Sequence, residues 1–441
     1  MKLGLSLLPI ISILTGIKSS SCWHVPFSLV STYGALKILK DLQVTCLIGR
    51  TTRLKRRKVE EEEFENKEEL QPLMKDECTH PGTIKQMCNH CGKILQVESG
   101  VAISYIHEGI RLQNHEIVRH RNADTKNPLR HKKLYLVLDL DHTLLNSTGL
   151  RAMTSQEEHL KSQKDSLQDV SKGSLFMVNS LHMMTKLRPF VRTFLKEASE
   201  MFELYIGTMG DQAYALEMVE LLDPQREYFS GRVISRDDRT KKNKKDLDIF
   251  LGHESAVLIL DDTEEVWKTN RENLIVMERY FFFASSCCQF RFNCKSLAEL
   301  KRDESETDGA LATVLKVLKK IHNMFFDELK DNLVDRDVRQ MLKTVKKEVL
   351  KGSKIVFSRA FPTIDQAENQ HLWKMAEQLG ATCVTKLDSS VTHVVSTYVG
   401  TKKAQWAVKH NKFLVLPRRI LAANYRWQKQ PEQNFSVNKV S

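Results

Sequence analysis

The sequence predicts an α/β fold in which a parallel sheet carries helices on both faces, followed by a second, smaller α/β domain. From Leu134 onward, short continuous apolar runs alternate with amphipathic stretches. Runs of this length are typical of strands buried on both faces of a parallel sheet. From Lys354 onward, strand-like and helix-like segments alternate over about 80 residues, which indicates a compact additional domain.

Three apolar runs supply the strands of the main sheet, at 134–138, 203–206 and 256–260. We expect one helix to run from Pro189 to Met201, because proline suits the first helical turn, and another to run from about Asp211 to just before Pro224. The polar stretch 148–182 is interpreted as an irregular insertion after the first strand.

The remaining segments follow from similar patterns. The aromatic run 280–283 is interpreted as a buried strand. In the second domain we expect strands at 354–357, 391–395 and 413–416, and helices at 371–379, 402–410 and 417–425. The whole chain then divides into a leader at 1–75, a cysteine-containing segment at 76–130, the main domain at 131–300, a helical linker at 301–350 and the second domain at 351–435.

Composition excludes several classes of protein. Of the 441 residues, 41% are hydrophobic and 28% are charged, which rules out fibrous and low-complexity chains. The net charge of +12 is dispersed along the chain, so we expect no direct nucleic-acid binding. Nine cysteines, an odd number, do not suit a secreted disulfide scaffold and fit a reducing compartment.

The leader carries two conflicting signals. The apolar run 4–15 resembles a signal peptide but is too short for a membrane span, so no membrane association is expected. The basic cluster 53–58 is of the nuclear-import type, and the acidic run 60–63 follows it directly. We favour the nuclear interpretation.

Acidic side chains follow two of the three predicted strands. Asp139 directly follows the first run and Asp141 lies two residues further, while Asp261 and Asp262 follow the third run. Thr208 lies just beyond the second run. Because ligands of open α/β sheets bind beyond the carboxyl ends of the strands, these side chains should meet at one edge.

Such a set of side chains suits phosphoryl transfer. Carboxylates from two strand ends can hold Mg²⁺, which lets an anionic carboxylate approach an anionic phosphorus. Asp139 can then attack as the nucleophile, while Asp141 protonates the leaving oxygen and later deprotonates the hydrolytic water. The Thr208 hydroxyl and the ammonium group of Lys245, just before a helical pattern, would offset charge in the transition state.

The motifs resemble those of the haloacid dehalogenase superfamily and, within it, the RNA polymerase II C-terminal-domain phosphatases, nearest to the plant CTD-phosphatase-like proteins. The similar segments are DLDHTLL at 139–145, KLRPF at 186–190, YIGTMG at 205–210, KDL at 245–247 and LILDD at 258–262, followed by Val266 and Trp267. The segment 351–435 resembles a BRCT domain, through residues 380–382, residues 392–395 and Trp427 in the last helix. The likeness spans about residues 76–435.

The resemblance implies a protein serine/threonine phosphatase that forms an aspartyl-phosphate on Asp139, with Asp141 as the acid and base. Mg²⁺, replaceable by Mn²⁺ or Co²⁺, would be held by the Asp139 carboxylate, the Asp141 backbone carbonyl and Asp262, with Asp261 supporting these ligands from behind. Phosphate would be bound by Thr208 and Lys245, with Arg188 grouped with these phosphate-binding residues as a support of the site.

The implied substrate is phosphoserine in the heptad repeats of the C-terminal domain of the largest RNA polymerase II subunit. Such a substrate places the chain in the nucleus, with general transcription factors among its partners. Gly207 stands where relatives often carry a larger residue, a departure that would loosen the pocket beside Thr208 and leaves the effect on activity open.

Two further sites are predicted. Cys78, His80, Cys88 and Cys91 could provide four zinc ligands, although the spacing is not that of a standard finger and a reduced local turn is the alternative. Ser358, after the first strand of the second domain, and Lys403, in its second helix, occupy the positions at which BRCT domains often bind phosphopeptides.

Two other functions compete with the protein phosphatase. One is a catalytically weak adaptor that binds the phosphorylated polymerase tail, and the intact set of acidic residues argues against it. The other is a phosphatase for a small metabolite. The BRCT resemblance and the lack of an evident large cap domain argue against this second alternative.

Overall fold

The computed structural model describes residues 78–96, 99–124, 126–164, 173–239, 243–291, 294–327, 336–361 and 366–437. The predictions for the leader, including the apolar run, the basic cluster and the acidic run, lie outside the described residues. No helix among the described residues is both long enough and apolar enough to cross a membrane.

A small antiparallel sheet opens the described chain. It consists of β1 (Gly82–Ile84), β2 (Met87–Cys88), β3 (Val101–Ala102) and β4 (Ile110–Leu112), in the order β2-β1-β4-β3. The helices α1 (Asn114–Asp124) and α2 (Lys126–Arg130) follow. Ile103, Ile110, Leu112 and Ile117 are buried in the main hydrophobic core, so this unit packs onto the rest of the molecule.

The main domain then alternates strands and helices. Its elements are β5 (Leu134–Leu138), β6 (Leu145–Gly149), α3 (Leu160–Gln163), β7 (Leu175–Val178), β8 (Met183–Leu187), α4 (Val191–Met201), β9 (Phe202–Gly207), α5 (Gln212–Leu222), β10 (Val233–Ile234), β11 (Val257–Asp261), β12 (Leu274–Val276) and α6 (Ala284–Gln289). The main sheet has the order β10-β9-β5-β11-β12, and all its pairs are parallel.

The three predicted strands are confirmed as neighbours in that sheet. Every residue of β5 and β11 is buried, as expected for strands covered on both faces. Since β5 lies between β9 and β11, the loops that follow these three strands share one edge. This edge carries Asp139, Thr208 and Asp262.

Three local predictions were wrong. The stretch 148–182 contains β7 and the end of β6, which pair with β8 in an antiparallel sheet. Leu175 of β7 and Met184 of β8 pack in one cluster with the aromatic run. In that run, Tyr280, Phe282 and Phe283 are buried, but the run is not part of a strand. Asn146 Oδ1 accepts the backbone N–H groups of Phe282 and Phe283 at 2.9 Å. Helix α4 begins at Val191, since Phe190 adopts a left-handed conformation with φ 70°.

The predicted helical linker is a pair of helices packed into the core. These are α7 (Ala310–Phe325) and α8 (Val338–Lys347). The apolar side of α7 is buried against α4, and α8 packs on α7. The pair bridges the two domains, because α7 and α8 also contact helices of the second domain.

The second domain has a four-stranded parallel sheet in the order β14-β13-β15-β16. Its elements are β13 (Lys354–Ser358), α9 (His371–Gln378), β14 (Thr382–Val384), β15 (His393–Ser396), α10 (Lys402–Lys409), β16 (Phe413–Val415) and α11 (Arg418–Arg426). Trp427 was expected inside the last helix but follows it in a left-handed conformation, with φ 49°. Gly380 has φ +92°, and an added Cβ there would lie 1.8 Å from the Lys347 carbonyl oxygen, so only glycine lets α9 approach the end of α8 so closely.

His393 gives the second domain a testable pH dependence. Burial lowers its pKa from 6.5 to about 4, although its contact with Glu432 acts in the opposite direction. In the unfolded chain the His393 imidazole therefore takes up a proton near pH 6.5, whereas in the folded chain it stays neutral until about pH 4. The stabilisation by neutral His393 is fully present above pH 6.5 and falls as the pH drops toward 4, by about 3 kcal/mol. The free energies of unfolding of the natural chain and of His393→Gln are measured with denaturant. The difference between them should shrink as the pH falls from 6.5 to 4. A constant difference would contradict this account.

Candidate active site

Three carboxylates converge at the shared edge of the main sheet. One oxygen from each of Asp139, Asp261 and Asp262 lies within 4.8 Å of the others. The backbone N–H of Asp139 donates to the Leu260 carbonyl at 2.9 Å, which continues the β5–β11 pairing up to the site and fixes both strand ends together. The side chains line an open cleft of about 410 Å³. The predicted acidic cluster is thus brought together by strand pairing.

Lys245 lies between two of these carboxylates. Its Nζ donates to Asp139 Oδ1 at 2.5 Å and to Asp261 Oδ2 at 2.6 Å, and the side chain is buried. Asp261 also accepts the indole N–H of Trp267 at 2.8 Å and the backbone N–H of Thr263 at 2.8 Å. Asp261 is therefore engaged in holding Lys245 in place, while Asp139 faces the cleft.

Asp262 has a cationic partner of its own. Arg279, three residues beyond β12, donates from Nε to Asp262 Oδ2 at 2.5 Å, and the hydroxyl of Thr263 donates to the same oxygen at 3.0 Å. The Arg279 guanidinium lies over the ring of Phe290, 4.1 Å from its centre. Both contacts therefore go to the same oxygen of the Asp262 carboxylate.

Asp141 is paired with a tyrosine from the neighbouring helix. The hydroxyl of Tyr214, in the first turn of α5, donates to Asp141 Oδ1 at 2.5 Å and lies 3.1 Å from Ser147 Oγ. Asp211 begins this helix as its N-cap and accepts the backbone N–H of Tyr214 at 2.9 Å. The helix start therefore fixes the Tyr214 side chain over Asp141.

Thr208 ends next to the cleft, immediately after β9. Its hydroxyl accepts the backbone N–H of Gly210 at 2.9 Å, and the residue is buried. The looser pocket expected from Gly207 does not form. The space that a side chain would need there is already occupied, because an added Cβ would lie 2.8 Å from Val137 Cγ1 and 3.5 Å from a nitrogen of Arg239.

Arg188 was grouped with the phosphate-binding residues as a support of the site, and its contacts favour the supporting role. Its guanidinium holds both Glu304 oxygens, at 2.7 and 2.9 Å. The remaining donors go to the carbonyl oxygens of Thr143 at 3.0 Å and Glu278 at 2.8 Å, with His142 O at 3.4 Å. All five N–H groups are thereby used, and the side chain does not line the cleft. Arg188 supports the loop after Asp139 from behind.

Burial strongly perturbs the ionisation of the site. Desolvation raises the pKa of Asp139 well above its usual value, and the neighbouring Asp261 raises it further against the opposing effect of Lys245. Burial likewise raises the pKa of Asp141, although the Tyr214 hydroxyl counteracts this. For Lys245, burial lowers the pKa, but Asp139 and Asp261 outweigh it and the net shift is upward. The lysine therefore stays charged among an excess of carboxylates.

The same excess of negative charge fits a divalent cation. Four carboxylates line the cleft together with Lys245, and Arg279 pairs with one of them, Asp262. Burial also raises the pKa of Asp262. The donors available between Asp139 and Asp262 are all oxygens, which suits Mg²⁺ rather than a thiol-binding metal. A bound cation would offset the repulsion between the carboxylates, which contributes to their raised pKa values.

Three residues of the site were missed in the sequence: Tyr214, Arg279 and Arg239. Arg279 could have been found, because the short apolar run that forms β12 ends just before it. The only signal for Tyr214 in the sequence is its position in the first turn of a predicted helix. Nothing in the sequence marks Arg239, which lies near the ring of Trp267. Its buried Nε and Nη1 atoms have no hydrogen-bond partner among the residues that the structure describes.

The predicted phosphopeptide residues of the second domain lie close together but are engaged. Ser358 Oγ donates to Thr401 Oγ1 at 2.8 Å, and Lys403 Nζ donates to the carbonyl oxygens of Phe357 at 3.2 Å and Thr385 at 2.9 Å. Ser358 is buried. Their role in phosphopeptide binding stays a prediction.

Comparisons with known proteins agree with this geometry. A family model described as NLI interacting factor-like phosphatase matches residues 134–289, and one described as twin BRCT domain matches residues 360–417. RNA polymerase II C-terminal domain phosphatase-like 4 of Arabidopsis thaliana is 59% identical over 369 residues, which cover 83% of this chain and 84% of that protein. RNA polymerase II C-terminal domain phosphatase-like 3 of the same plant is 42% identical over 319 residues, covering 70% of this chain and 25% of that protein.

Solved structures show the same fold. The structure of Fcp1, an essential RNA polymerase II CTD phosphatase, matches with a TM-score of 0.56 at 24% identity and covers 72% of this chain and 99% of that one. A variant of fission yeast Fcp1 bound to beryllium fluoride gives a TM-score of 0.56 at 25% identity, covering 72% of this chain and 100% of that one. The predicted fold class and family resemblance are confirmed: the chain belongs to the RNA polymerase II C-terminal-domain phosphatase family.

Proposed function

We propose that this protein removes phosphate from phosphoserine in the heptad-repeat tail of RNA polymerase II, through an aspartyl-phosphate on Asp139. The observation that carries the proposal is the buried Asp139–Lys245–Asp261 arrangement that lines the cleft. Relatives with 59% and 42% identity are named as phosphatases of this tail, which supports the substrate class.

In the first step, a carboxylate oxygen of Asp139 forms a bond to phosphorus while the bond between phosphorus and the serine oxygen breaks. Lys245 and the Thr143 hydroxyl, which donates to Asp139 Oδ2 at 3.2 Å, hold the carboxylate in one orientation. Because Lys245 remains charged and lies beside the reacting oxygen, it can also stabilise charge on the transferring phosphoryl group. We assign the same role to the Thr208 hydroxyl. Orientation and charge stabilisation thus come from the same residues.

Asp141 completes both steps by moving a proton. Burial raises its pKa, which favours the protonated form that can donate to the leaving serine oxygen. The resulting carboxylate then accepts a proton from the water that attacks the phosphorus, which breaks the bond to Asp139 and releases phosphate. Tyr214 keeps the carboxyl group aimed at the cleft in both states.

We assign Mg²⁺ to the Asp139 and Asp262 carboxylates and the Asp141 backbone carbonyl, with Asp261 supporting Lys245 behind them. When bound, the ion neutralises phosphate oxygens so that two anionic groups can meet. Mn²⁺ or Co²⁺ would serve as substitutes with the same oxygen donors. A polymerase-tail substrate further places the protein in the nucleus, among the general transcription factors.

A phosphate-release assay tests this function. The full chain is incubated with a heptad peptide carrying phosphoserine, with Mg²⁺ or with EDTA, and a small phosphorylated sugar serves as the comparison substrate. We expect Mg²⁺-dependent release from the peptide and little from the sugar. Binding of the peptide without release would favour an adaptor, and preferential release from the sugar would favour a metabolite phosphatase.

Tyr214→Phe should lower kcat on the phosphoserine peptide about tenfold with little change in KM, because it removes one hydrogen bond to the acid Asp141. The loss should be smaller on p-nitrophenyl phosphate, whose leaving group needs less protonation. Tyr228→Phe, a partly exposed tyrosine, is the matched control and should leave both rates unchanged. An equal loss on both substrates would indicate that Tyr214 acts only through the structure of the site.

A further inference from the structure

A second cluster of metal-type ligands lies in the small antiparallel sheet that opens the described chain. One ligand atom from each of Cys78, His80, Cys88 and Cys91 lies within 4.8 Å of the others. Cys78 Sγ and Cys88 Sγ are 3.8 Å apart, and Cys91 Sγ is 3.4 Å from His80 Nδ1. A tetrahedral zinc ion with bonds of about 2.3 Å to sulfur and about 2.0 Å to nitrogen requires edges of about 3.8 Å and 3.5 Å. The separation of the two sulfurs is also far too long for a disulfide.

The backbone around the cluster is arranged to serve sulfur ligands. The backbone N–H groups of His80 and His90 each point at a cysteine sulfur, Cys78 Sγ and Cys88 Sγ, at 3.4 Å. The turn after β2 is closed by Gly92 N–H donating to the Cys88 carbonyl and by Cys88 N–H donating to Lys93, both at 2.9 Å. Such N–H groups stabilise the thiolate form that a metal requires.

The four ligands indicate the type of ion and its role. Three thiolates and an imidazole favour zinc over Mg²⁺, which prefers oxygen. Four protein ligands leave no open position for a substrate or water, so the ion would be structural rather than catalytic. The strands β1 to β4 have only two or three residues each, which gives them little stability without such a link.

This small unit also contacts the segment that follows Lys245. Arg121, in α1, donates to the carbonyl oxygens of Leu247 at 2.5 Å, Asp248 at 3.0 Å and Phe250 at 2.9 Å. The Tyr105 hydroxyl donates to the Ile249 carbonyl at 3.2 Å. Four consecutive carbonyl groups just beyond the buried lysine are therefore held by the unit that contains the cysteines.

We propose that Cys78, His80, Cys88 and Cys91 bind a structural zinc ion, and that this ion secures the unit which supports residues 247–250 beside the active site. The proposal is independent of the substrate, because zinc content is measured without turnover. It also assigns a role to the segment 76–130 that the phosphatase chemistry does not use.

Zinc per chain in the full-length protein, measured by elemental analysis after extensive dialysis, tests the ligand set. We expect one zinc per chain, and, after replacement by Co²⁺, the thiolate charge-transfer absorption of a tetrahedral cobalt site. Cys91→Ser should lose at least nine-tenths of the zinc, whereas Cys288→Ser, which removes a similarly exposed thiol, should keep it. A wild-type protein without zinc and without the cobalt band would overturn the proposal, as would a Cys91→Ser protein with full zinc content.

Hydrogen–deuterium exchange tests the supporting role. Relative to Cys288→Ser, the Cys91→Ser protein should exchange its backbone amides faster at 82–112 and at 247–250, with the second domain unchanged. Faster exchange at 82–112 alone would show that the metal does not support the segment after Lys245, and would overturn that part of the proposal.

Discussion

Replacing Asp139 with asparagine should reduce phosphate release from a phosphoserine heptad peptide by about 10³-fold or more. The amide oxygen is a poor nucleophile, and the other groups of the site cannot form the covalent intermediate in its place. Folding should not suffer, because burial and Asp261 disfavour the charged carboxylate at this position. We therefore expect the thermal midpoint of the variant to equal or exceed that of the natural chain. This is the expected behaviour of a residue kept for chemistry at some expense of stability.

The matched control for this variant is Asp308→Asn, which removes one negative charge from an exposed aspartate before α7. Its rate should equal that of the natural chain. Single-turnover assays with Mg²⁺ measure the chemical step separately from product release. A rate for Asp139→Asn within tenfold of the natural rate would mean that another group attacks phosphorus.

Arg188→Ala should lower the free energy of unfolding by about 3–5 kcal/mol, the usual cost of removing one partner from a buried ion pair. Glu304 would keep a poorly exposed charge without its partner, and the carbonyl groups of Thr143 and Glu278 would lose their donors. The measurement is denaturant unfolding of the full chain. Activity should fall through misplacement of the loop after Asp139, so kcat should change more than KM.

Arg226→Ala is the comparison for this variant, because its contact with Glu220 is at the surface and 3.5 Å long. Exposed pairs contribute about 0–1 kcal/mol, so this variant should unfold nearly like the natural chain. If Arg188→Ala were as stable as Arg226→Ala and raised KM for the peptide, Arg188 would bind phosphate directly and the assignment of a supporting role would be wrong.

The parts of the site that the sequence predicts share one property: each is set by a strand and the residues directly after it. Continuous apolar runs indicate buried parallel strands, and parallel strands place their following residues at a common edge. This is why the sequence alone places Asp139, Thr208 and Asp262 at one edge of the sheet. The helix that begins after Asp211 was also predictable, because the signal for its start, the N-cap Asp211, is local to the sequence.

The remaining contacts depend on packing between distant segments, which local patterns do not report. Tyr214 reaches Asp141 across 73 positions of the chain, and Arg188 reaches Glu304 across 116. Gly207 seemed to leave a gap, but Val137 from the neighbouring strand and Arg239 fill it. In each case the sequence gives the identity of the side chain, but the residue that it contacts depends on how the sheets and helices pack together.

A crystal structure of the full chain with Mg²⁺ and beryllium fluoride tests the central claim most directly, because this anion mimics a phosphoryl group bonded to a carboxylate. We predict beryllium bonded to an oxygen of Asp139, its fluorides near Lys245 and Thr208, and a metal ion between Asp139 and Asp262. Beryllium fluoride bonded to Asp141 or Asp262 instead, or absent from the cleft while Mg²⁺ is bound, would contradict the assignment of Asp139 as the nucleophile.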